Sequence, residues 1–233
     1  MTEEKLGQLE EKVGYSFSQK NLLWQALTHR SYLNENPDWK VEHNERLEFL
    51  GDAVLELAVT EHLYANYPNP EGDMTNWRAA LVNATMLARI SAEFDLNDYV
   101  LLSRGEAKDT GRARQYILAN AVEALIGALY LDGGYEAAKN FVGRFVLAKL
   151  PEILQQRLYR DAKSLLQEEA QERVGITPTY EVLEEWGPDH ARQFRVGVFL
   201  NSEKAGTGEG PSKQEAQQQA AEDALRTKGW NGN

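Results

Sequence analysis

The chain of 233 residues contains no cysteine. This absence excludes disulfide bonds, thiolate metal sites and a cysteine nucleophile. The sequence also lacks an uninterrupted run of about 18 apolar residues, and residues 1–12 lack the apolar segment of a signal peptide. We therefore expect a soluble, cytoplasmic protein without a membrane partner. Hydrophobic residues make up 42% of the chain, which is enough to form a buried core.

Basic residues are in the minority. The 25 Lys and Arg stand against 36 Asp and Glu, so the formal net charge is −11. An acidic protein repels a polyanion on average, and the total charge therefore argues against a nucleic-acid partner. The excess is concentrated, however, because residues 42–73 hold eight acids and one base and carry −7 of the total. A solvated helix face usually mixes both signs, so this segment needs another explanation.

Two parts of the chain have different patterns. Residues 1–155 have the periodicity of successive helices, broken at clusters of Gly, Pro and Asn. Residues 156–233 are predicted to begin and end with a helix, and the segments between have the polar–apolar alternation of strands. Their predicted elements are a helix, three strands and a helix, at 161–173, 179–186, 194–200, 203–207 and 212–228. The predicted fold is an all-α domain followed by a small α+β domain of the order α-β-β-β-α.

The acidic segment is predicted to be an amphipathic helix. Since a helix advances 100 degrees per residue, Glu45, Glu48 and Asp52 fall within about 60 degrees of one another. Like charges at this spacing destabilise a helix unless a cation lies between them, and Mg²⁺ or Mn²⁺ prefers such oxygen ligands. A solvated acidic face is the alternative interpretation. The opposite face carries residues expected in the core, namely Leu47, Leu50, Val54, Leu57 and Ala58.

A second helix is predicted over residues 117–131, which are apolar almost all the way round. It nevertheless carries Asn120 and Glu123, one turn apart. A buried carboxylate is costly unless it is paired or bound to a metal ion, although a single satisfied core glutamate is the simpler interpretation. If this helix crosses the acidic one, Glu48, Asp52, Asn120 and Glu123 form an oxygen-rich pocket suited to Mg²⁺.

Residues 43–55, HNERLEFLGDAVL, resemble the signature of bacterial ribonuclease III. Three further motifs of that family recur in its order, namely ALTHRSY at 26–32, EGDM at 71–74 and VEALIG at 122–127. The resemblance covers essentially the whole chain. It implies a homodimeric endonuclease domain that cuts both strands of duplex RNA, followed by a double-stranded-RNA-binding domain. It also implies 5′-phosphate and 3′-hydroxyl ends, no organic cofactor, and a role in rRNA and mRNA processing.

By position, the resemblance makes Glu48, Asn120 and Glu123 metal ligands, with Asp52 and Glu123 essential for catalysis. Glu45 and Glu71 match further acidic residues of the family's site. No histidine lies within the two motif helices except His43 at the start of one, so acid–base catalysis by histidine is not expected. We interpret His43 and His29 as capping or packing residues.

Asn120 departs from the family pattern, in which many relatives have Asp at this position. Its amide oxygen is still a possible metal ligand, but one negative charge is lost, and we expect weaker Mg²⁺ binding. This departure leaves a rival hypothesis, a duplex-RNA-binding regulator that does not cleave. A third hypothesis, an acidic helical scaffold without an RNA partner, requires that the protein fail to bind duplex RNA.

The RNA-binding part carries a net charge of −3, so RNA binding must depend on where its bases lie. Its first helix, the loop between its first two strands and the start of its last helix are expected to contact RNA. The candidate residues are Ser164, Gln167, Glu168, His190, Ser212 and Lys213. The alternative is that Ser212 is only a helix cap and His190 only a turn residue. A basic group just before the buried helix is a further candidate for RNA contact, or else an ordinary mixed-charge loop, and comprises Arg104, Lys108, Arg112 and Arg114.

Overall fold

The computed structural model describes residues 2–156, 162–188 and 192–230. The chain separates into two compact units, residues 1–159 and 160–233. The first unit is helical, and the second combines a three-stranded antiparallel sheet with two helices, so the predicted fold class is confirmed. The exact division between residues 155 and 156 stays a prediction.

The first helix of the first unit begins and ends at residues that the sequence marks. The first helix is capped by Thr2, whose hydroxyl accepts a hydrogen bond from the Lys5 amide, and it ends at Gly14 in the left-handed conformation. Short 3₁₀ turns connect several of the later helices. The helices are α1 (Glu3–Val13), α2 (Lys20–Leu27), α3 (Arg30–Glu35), α4 (Glu45–Asn66), α5 (Glu71–Val82), α6 (Ala84–Ser91), α7 (Arg112–Phe141) and α8 (Leu150–Gln156).

The core of the first unit forms around α7, whose residues 121–129 are almost entirely buried. Helix α4 faces it with Leu47, Gly51, Val54 and Leu55, which repeat at the spacing of one helix face. The prediction that Leu57 belongs to the core is wrong, because its side chain is 57% exposed. It lies outside the stripe by which α4 contacts α7.

Two glycines allow α4 and α7 to cross with their backbones in contact. A Cβ atom at Gly51 would lie 1.8 Å from the carbonyl oxygen of Glu123, and one at Gly127 would lie 2.3 Å from the carbonyl oxygen of Leu47. Any side chain at either position would therefore separate the helices. Because Glu48 and Asp52 flank Gly51 on the acidic face, this crossing brings them next to Asn120 and Glu123.

One stretch, Arg112–Gln155, is long and apolar enough to cross a membrane by length and composition alone. Its most apolar window is 56% buried within the protein. The burial of residues 121–129 against the neighbouring helices identifies this stretch as a core element of the helical unit.

The second unit consists of α9 (Ala162–Val174), β1 (Thr179–Trp186), β2 (Gln193–Leu200), β3 (Glu203–Gly210) and α10 (Lys213–Lys228). The strands are antiparallel in the order β1-β2-β3. Helices and sheet share a core that includes Leu166, Val196 and Val198, with Ala216 and Ala220 from α10. The predicted third strand is too short, because β3 continues past Thr207 and pairs with β2 as far as Gly210.

Replacing Gly51 with alanine should lower the free energy of unfolding by about 3 kcal/mol, because the new methyl group overlaps the α7 backbone. Gly7→Ala is the matched control, since Gly7 lies within α1 and a Cβ there meets nothing within 4 Å. The control should stabilise the protein by about 0.5–1 kcal/mol. Denaturant unfolding measures both changes, and equal midpoints for the two variants would contradict the close crossing.

Candidate metal and RNA site

Glu123 is the most perturbed carboxyl group of the helical unit. Burial, followed by the charges of Asp52 and Glu48, raises its pKa to about 8. These charges act on Glu123 because its backbone lies against Gly51, next to Asp52 and three residues from Glu48 on α4. The structure thus brings together Glu48, Asp52 and Glu123, as the two predicted helix faces required.

Glu48 is half-buried, and its pKa is also raised, first by burial and then by the charge of Glu45. A hydrogen bond from the Asn120 amide acts in the opposite direction. An amide that donates its NH₂ to Glu48 still has its oxygen available as an acceptor. Asn120 therefore lies at the predicted position and stabilises the charged form of Glu48.

Glu45 lies at the exposed first turn of α4, beside Arg30 and His43. The Arg30 Nη1 atom is 3.5 Å from its Oε1. The Glu45 backbone amide donates a hydrogen bond of 3.4 Å to His43 Nδ1, and His43 comes one residue before Asn44, the N-cap of this helix. His29 is the N-cap of α3, and its side chain accepts a hydrogen bond from the Ser31 amide.

Glu71 is not brought to the other carboxylates within one chain. It opens α5 and lines a cavity with Thr60 and Tyr64 of α4. Thr60 follows Asp52 by eight residues, which is about 12 Å along a helix axis. The sequence prediction that groups Glu71 with the site is therefore not fulfilled by a single subunit.

The donor set suits a hard divalent cation by its chemistry, because three carboxylates and one amide oxygen lie near the crossing of α4 and α7. In the described part of the chain, no group of three or more His, Cys, Asp or Glu side chains is arranged closely enough to hold a metal ion. Binding would therefore require the three carboxylates, Glu48, Asp52 and Glu123, to turn toward one point. Burial and then the charges of Asp52 and Glu48 raise the pKa of Glu123, and a bound ion would relieve the repulsion among these carboxylates.

Two exposed aromatic residues near this cluster were missed by the sequence analysis. Phe49 is 83% exposed, and Tyr116 is 47% exposed. A signal for Phe49 was present, since it lies four residues after Glu45 and three before Asp52, on the polar face of α4. Tyr116 lies four residues before Asn120 and shares its side of α7 in the same way.

In the second unit, Ser164, Gln167 and Glu168 are exposed and share one face of α9. The Ser212 hydroxyl caps α10 by accepting a hydrogen bond of 3.2 Å from the Glu215 amide. The Lys213 ammonium follows it, 5.6 Å from the centre of the Phe194 ring. These residues lie at the predicted positions, whereas His190 lies outside the described residues.

The basic residues Arg104 and Lys108 lie just before α7, whereas Arg112 and Arg114 lie in its first turn, and their role in RNA contact stays a prediction. Arg114 Nε donates a hydrogen bond of 2.8 Å to Asn97 Oδ1, so this side chain is held against the protein. The Arg104 amide donates to the Glu35 carboxylate. The Arg112 guanidinium lies instead over an aromatic side chain, 5.9 Å from the centre of the Tyr116 ring.

Known proteins share both units. Residues 19–150 match the family model described as ribonuclease-III-like, and residues 162–228 match the double-stranded RNA binding motif. Ribonuclease 3 of Natranaerobius thermophilus is 46% identical over 220 residues, which are 94% of this chain and 94% of the relative. Ribonuclease 3 of Protochlamydia amoebophila is 45% identical over 93% of this chain and 89% of its own.

A solved structure is similar to the helical unit. The nuclease domain of ribonuclease III from Campylobacter jejuni is 43% identical, with a TM-score of 0.56. The match covers 62% of this chain and 97% of that domain. That domain is described as flexible in a region involved in dimer formation.

The raised pKa of Glu123 predicts how the stability of the metal-free protein depends on pH. The unfolded chain loses this proton near the ordinary value of 4.5, whereas the folded chain keeps it up to about 8. Between these pH values the folded state binds more protons than the unfolded chain, so the free energy of unfolding falls as the pH rises. Unfolding in the presence of a chelator should show this decline, and Glu123→Gln should reduce it.

Glu11→Gln, at an exposed position of α1, is the control and should leave the pH dependence unchanged. If Glu123→Gln and the unmodified protein lose stability in parallel over this pH range, Glu123 does not hold its proton as described.

Proposed function

We propose that this chain, which belongs to the ribonuclease III family, uses Mg²⁺ to hydrolyse both strands of double-stranded RNA, leaving 5′-phosphate and 3′-hydroxyl ends. The chain is an endoribonuclease with a double-stranded-RNA-binding domain. The observation that carries the finer proposal is that Asp52, Glu48 and Glu123 are neighbours at the crossing of α4 and α7. We further propose that it acts in the cytoplasm, in rRNA and mRNA processing.

Glu48, Asp52, Asn120 and Glu123 are the proposed ligands of Mg²⁺, with Mn²⁺ as a possible substitute. Mg²⁺ supplies, when bound, a water of lowered pKa and positive charge beside the phosphate. Asp52 is exposed at the edge of the cluster and faces incoming RNA. Asp52 and Glu123 are the carboxylates on which we expect catalysis to depend most.

Arg30 supports the proposal that the first turn of α4 lies beside the bound RNA. It holds the Glu45 carboxylate at 3.5 Å, and 72% of its side chain is exposed. A cation at the rim of an acidic cluster lowers the repulsion between that cluster and the phosphates of the substrate. Glu45 is therefore assigned to orient the rim of the site, and the other carboxylates to hold the ion.

In the second unit, the proposed RNA contacts are the exposed face of α9 and the start of α10. Polar side chains such as Ser164 and Gln167 suit 2′-hydroxyl groups across the minor groove. At α10, the Lys213 ammonium and the amide groups of the first turn suit phosphate. Glu168 extends the α9 face, Ser212 caps α10, and His190 is retained as a proposed loop contact.

The Asn120 proposal predicts that Asn120→Asp will lower the Mg²⁺ concentration needed for half-maximal cleavage by about ten-fold, because a carboxylate replaces a neutral ligand. Asn66→Asp adds the same charge at the far end of α4 and should leave the titration unchanged. The measurement is cleavage of long duplex RNA across a Mg²⁺ series. Each variant should still shift the same RNA in a gel, which tests binding separately.

No cleavage by the unmodified protein at any Mg²⁺ or Mn²⁺ concentration, with binding intact, would overturn the proposed reaction. That outcome would favour the rival function, a duplex-RNA-binding regulator. Failure of the protein to bind duplex RNA at all would instead favour the acidic scaffold.

We propose that the active form is a symmetric homodimer joined along α4. Phe49, Leu57 and Tyr64 are 83%, 57% and 81% exposed and fall within about 80 degrees on this helix. Beside Phe49 is a cavity of about 680 Å³, whose apolar lining includes Leu50 and Leu131. A second copy related by a two-fold axis would cover this stripe and insert its own Phe49.

Such a dimer also gives Glu71 a place in the site. Glu71 lies beside Tyr64, at the end of the apolar stripe. A second copy packed on the stripe would bring its own Glu71 toward the carboxylates of the first. The sequence assignment of Glu71 to the site is retained as a proposal in this form.

Phe49→Ser should weaken dimerisation by about 30-fold or more, as expected for a buried aromatic residue at the centre of an interface. Sedimentation should give twice the 26.3 kDa chain mass for the unmodified protein and a lower average for the variant. Val174→Ser removes an exposed apolar side chain from the second unit and is the control. A monomeric unmodified protein, or an unchanged mass for Phe49→Ser, would contradict this interface.

A further inference from the structure

A cavity of about 630 Å³ in the helical unit is lined by Arg30, which lies 3.5 Å from Glu45 of α4. Its volume is in the range of sites that hold a small organic group. Both α3 and the start of α7 contribute to its wall, and the residues used below are His29, Arg30, Asn34, Glu106 and Tyr116.

Residues on two sides of this cavity lie near Glu45 and Asn120. On one side, Arg30 Nη1 is 3.5 Å from Glu45 Oε1. On the other side, Tyr116 precedes Asn120 by four residues, which places the two about 6 Å apart along the axis of α7. A group in this cavity would therefore lie next to whatever phosphate the cluster binds.

Tyr116 provides an aromatic surface at the mouth of the cavity. It is 47% exposed, so the core does not need its ring. The Arg112 guanidinium is 5.9 Å from the ring centre, and an Arg112 nitrogen is 3.5 Å from the Tyr116 hydroxyl. An exposed aromatic ring beside arginine is the arrangement on which unpaired bases stack.

The polar groups of the cavity suit a nucleoside better than a second phosphate. Arg30 and Glu106 place one positive and one negative charge on the lining, so the lining charges balance. A carboxylate such as Glu106 accepts hydrogen bonds from a ribose hydroxyl or a base amine but repels phosphate. His29 Nδ1 accepts from the Ser31 amide, which leaves Nε2 as the donor of the neutral ring, and Asn34 offers both donor and acceptor atoms.

We propose that this cavity is a nucleoside subsite that holds the nucleotide next to the scissile phosphate, with the base of that nucleotide unpaired from the duplex and stacked on Tyr116. Helix α7 would then position the cut, because it carries both Tyr116 and the ligand positions Asn120 and Glu123. This inference rests on the proposed function, since it needs an RNA strand at the carboxylate cluster. Tyr116 contributes binding and position, and it takes no part in bond breaking.

Tyr116→Leu tests the stacking surface, and Tyr116→Phe is the matched control that keeps the ring. For Tyr116→Leu, KM for duplex RNA should rise roughly ten-fold with little change in kcat, the size expected for one base–aromatic stack. Cleavage of a single defined duplex should also spread over neighbouring positions. Tyr116→Phe should behave like the unmodified protein, and equal KM and cut positions for all three would overturn the subsite.

A second measurement does not depend on cleavage. A short duplex that carries 2-aminopurine in its 3′ overhang is mixed with the protein, with Ca²⁺ in place of Mg²⁺. Stacking should quench the fluorescence with the unmodified protein and with Tyr116→Phe, and Tyr116→Leu should leave it unquenched while the thermal midpoint stays the same. The same quenching by all three proteins would overturn the proposal, as would none with the unmodified protein. An unmodified protein that quenches but never cleaves would refute the proposed reaction and retain the subsite.

Discussion

The close crossing of α4 and α7 is the constraint on which the helical unit depends. Gly51 and Gly127 let the two backbones touch, and a Cβ atom at either glycine would overlap a carbonyl oxygen of the other helix. Glu48 and Asp52 lie within one turn of Gly51 on α4. The same contact that closes the core therefore also sets Glu48 and Asp52 against Glu123. Packing and the candidate chemistry therefore have one geometric cause.

This arrangement stabilises the fold through apolar contacts but concentrates negative charge. Burial and the neighbouring carboxylates raise the pKa of Glu123 to about 8, so the metal-free site holds a proton that an ordinary carboxyl group would have lost. A bound cation would replace that proton and remove the repulsion. The net charge of −11 is thus no argument against RNA, because most of it lies in residues 42–73, beside the proposed cation site.

Residue spacing predicted the helix faces that carry Glu48, Asp52, Asn120 and Glu123, because each lies on a regular helix, and their role as metal ligands stays a prediction. Glu71 was harder, since its position depends on the angle between α4 and α5 and, in our proposal, on a second copy. The end of β3 was missed for another reason. Gly206, Gly208 and Gly210 resemble a loop, yet a Cβ at Gly208 would lie 2.2 Å from the Ala220 amide nitrogen, so packing against α10 selects glycine there.

Asn120 shows how the same crossing constrains the site's composition. In the metal-free state its amide donates to Glu48 and opposes the effect of burial, whereas a carboxylate there would add another charge to Glu48, Asp52 and Glu123. The metal-bound state has the opposite preference, because a cation gains more from a fourth carboxylate than from an amide oxygen. Asparagine therefore favours a stable metal-free fold over tight ion binding. The stability of the empty site and its affinity for Mg²⁺ are two results of one substitution, and a change at residue 120 should move them in opposite directions.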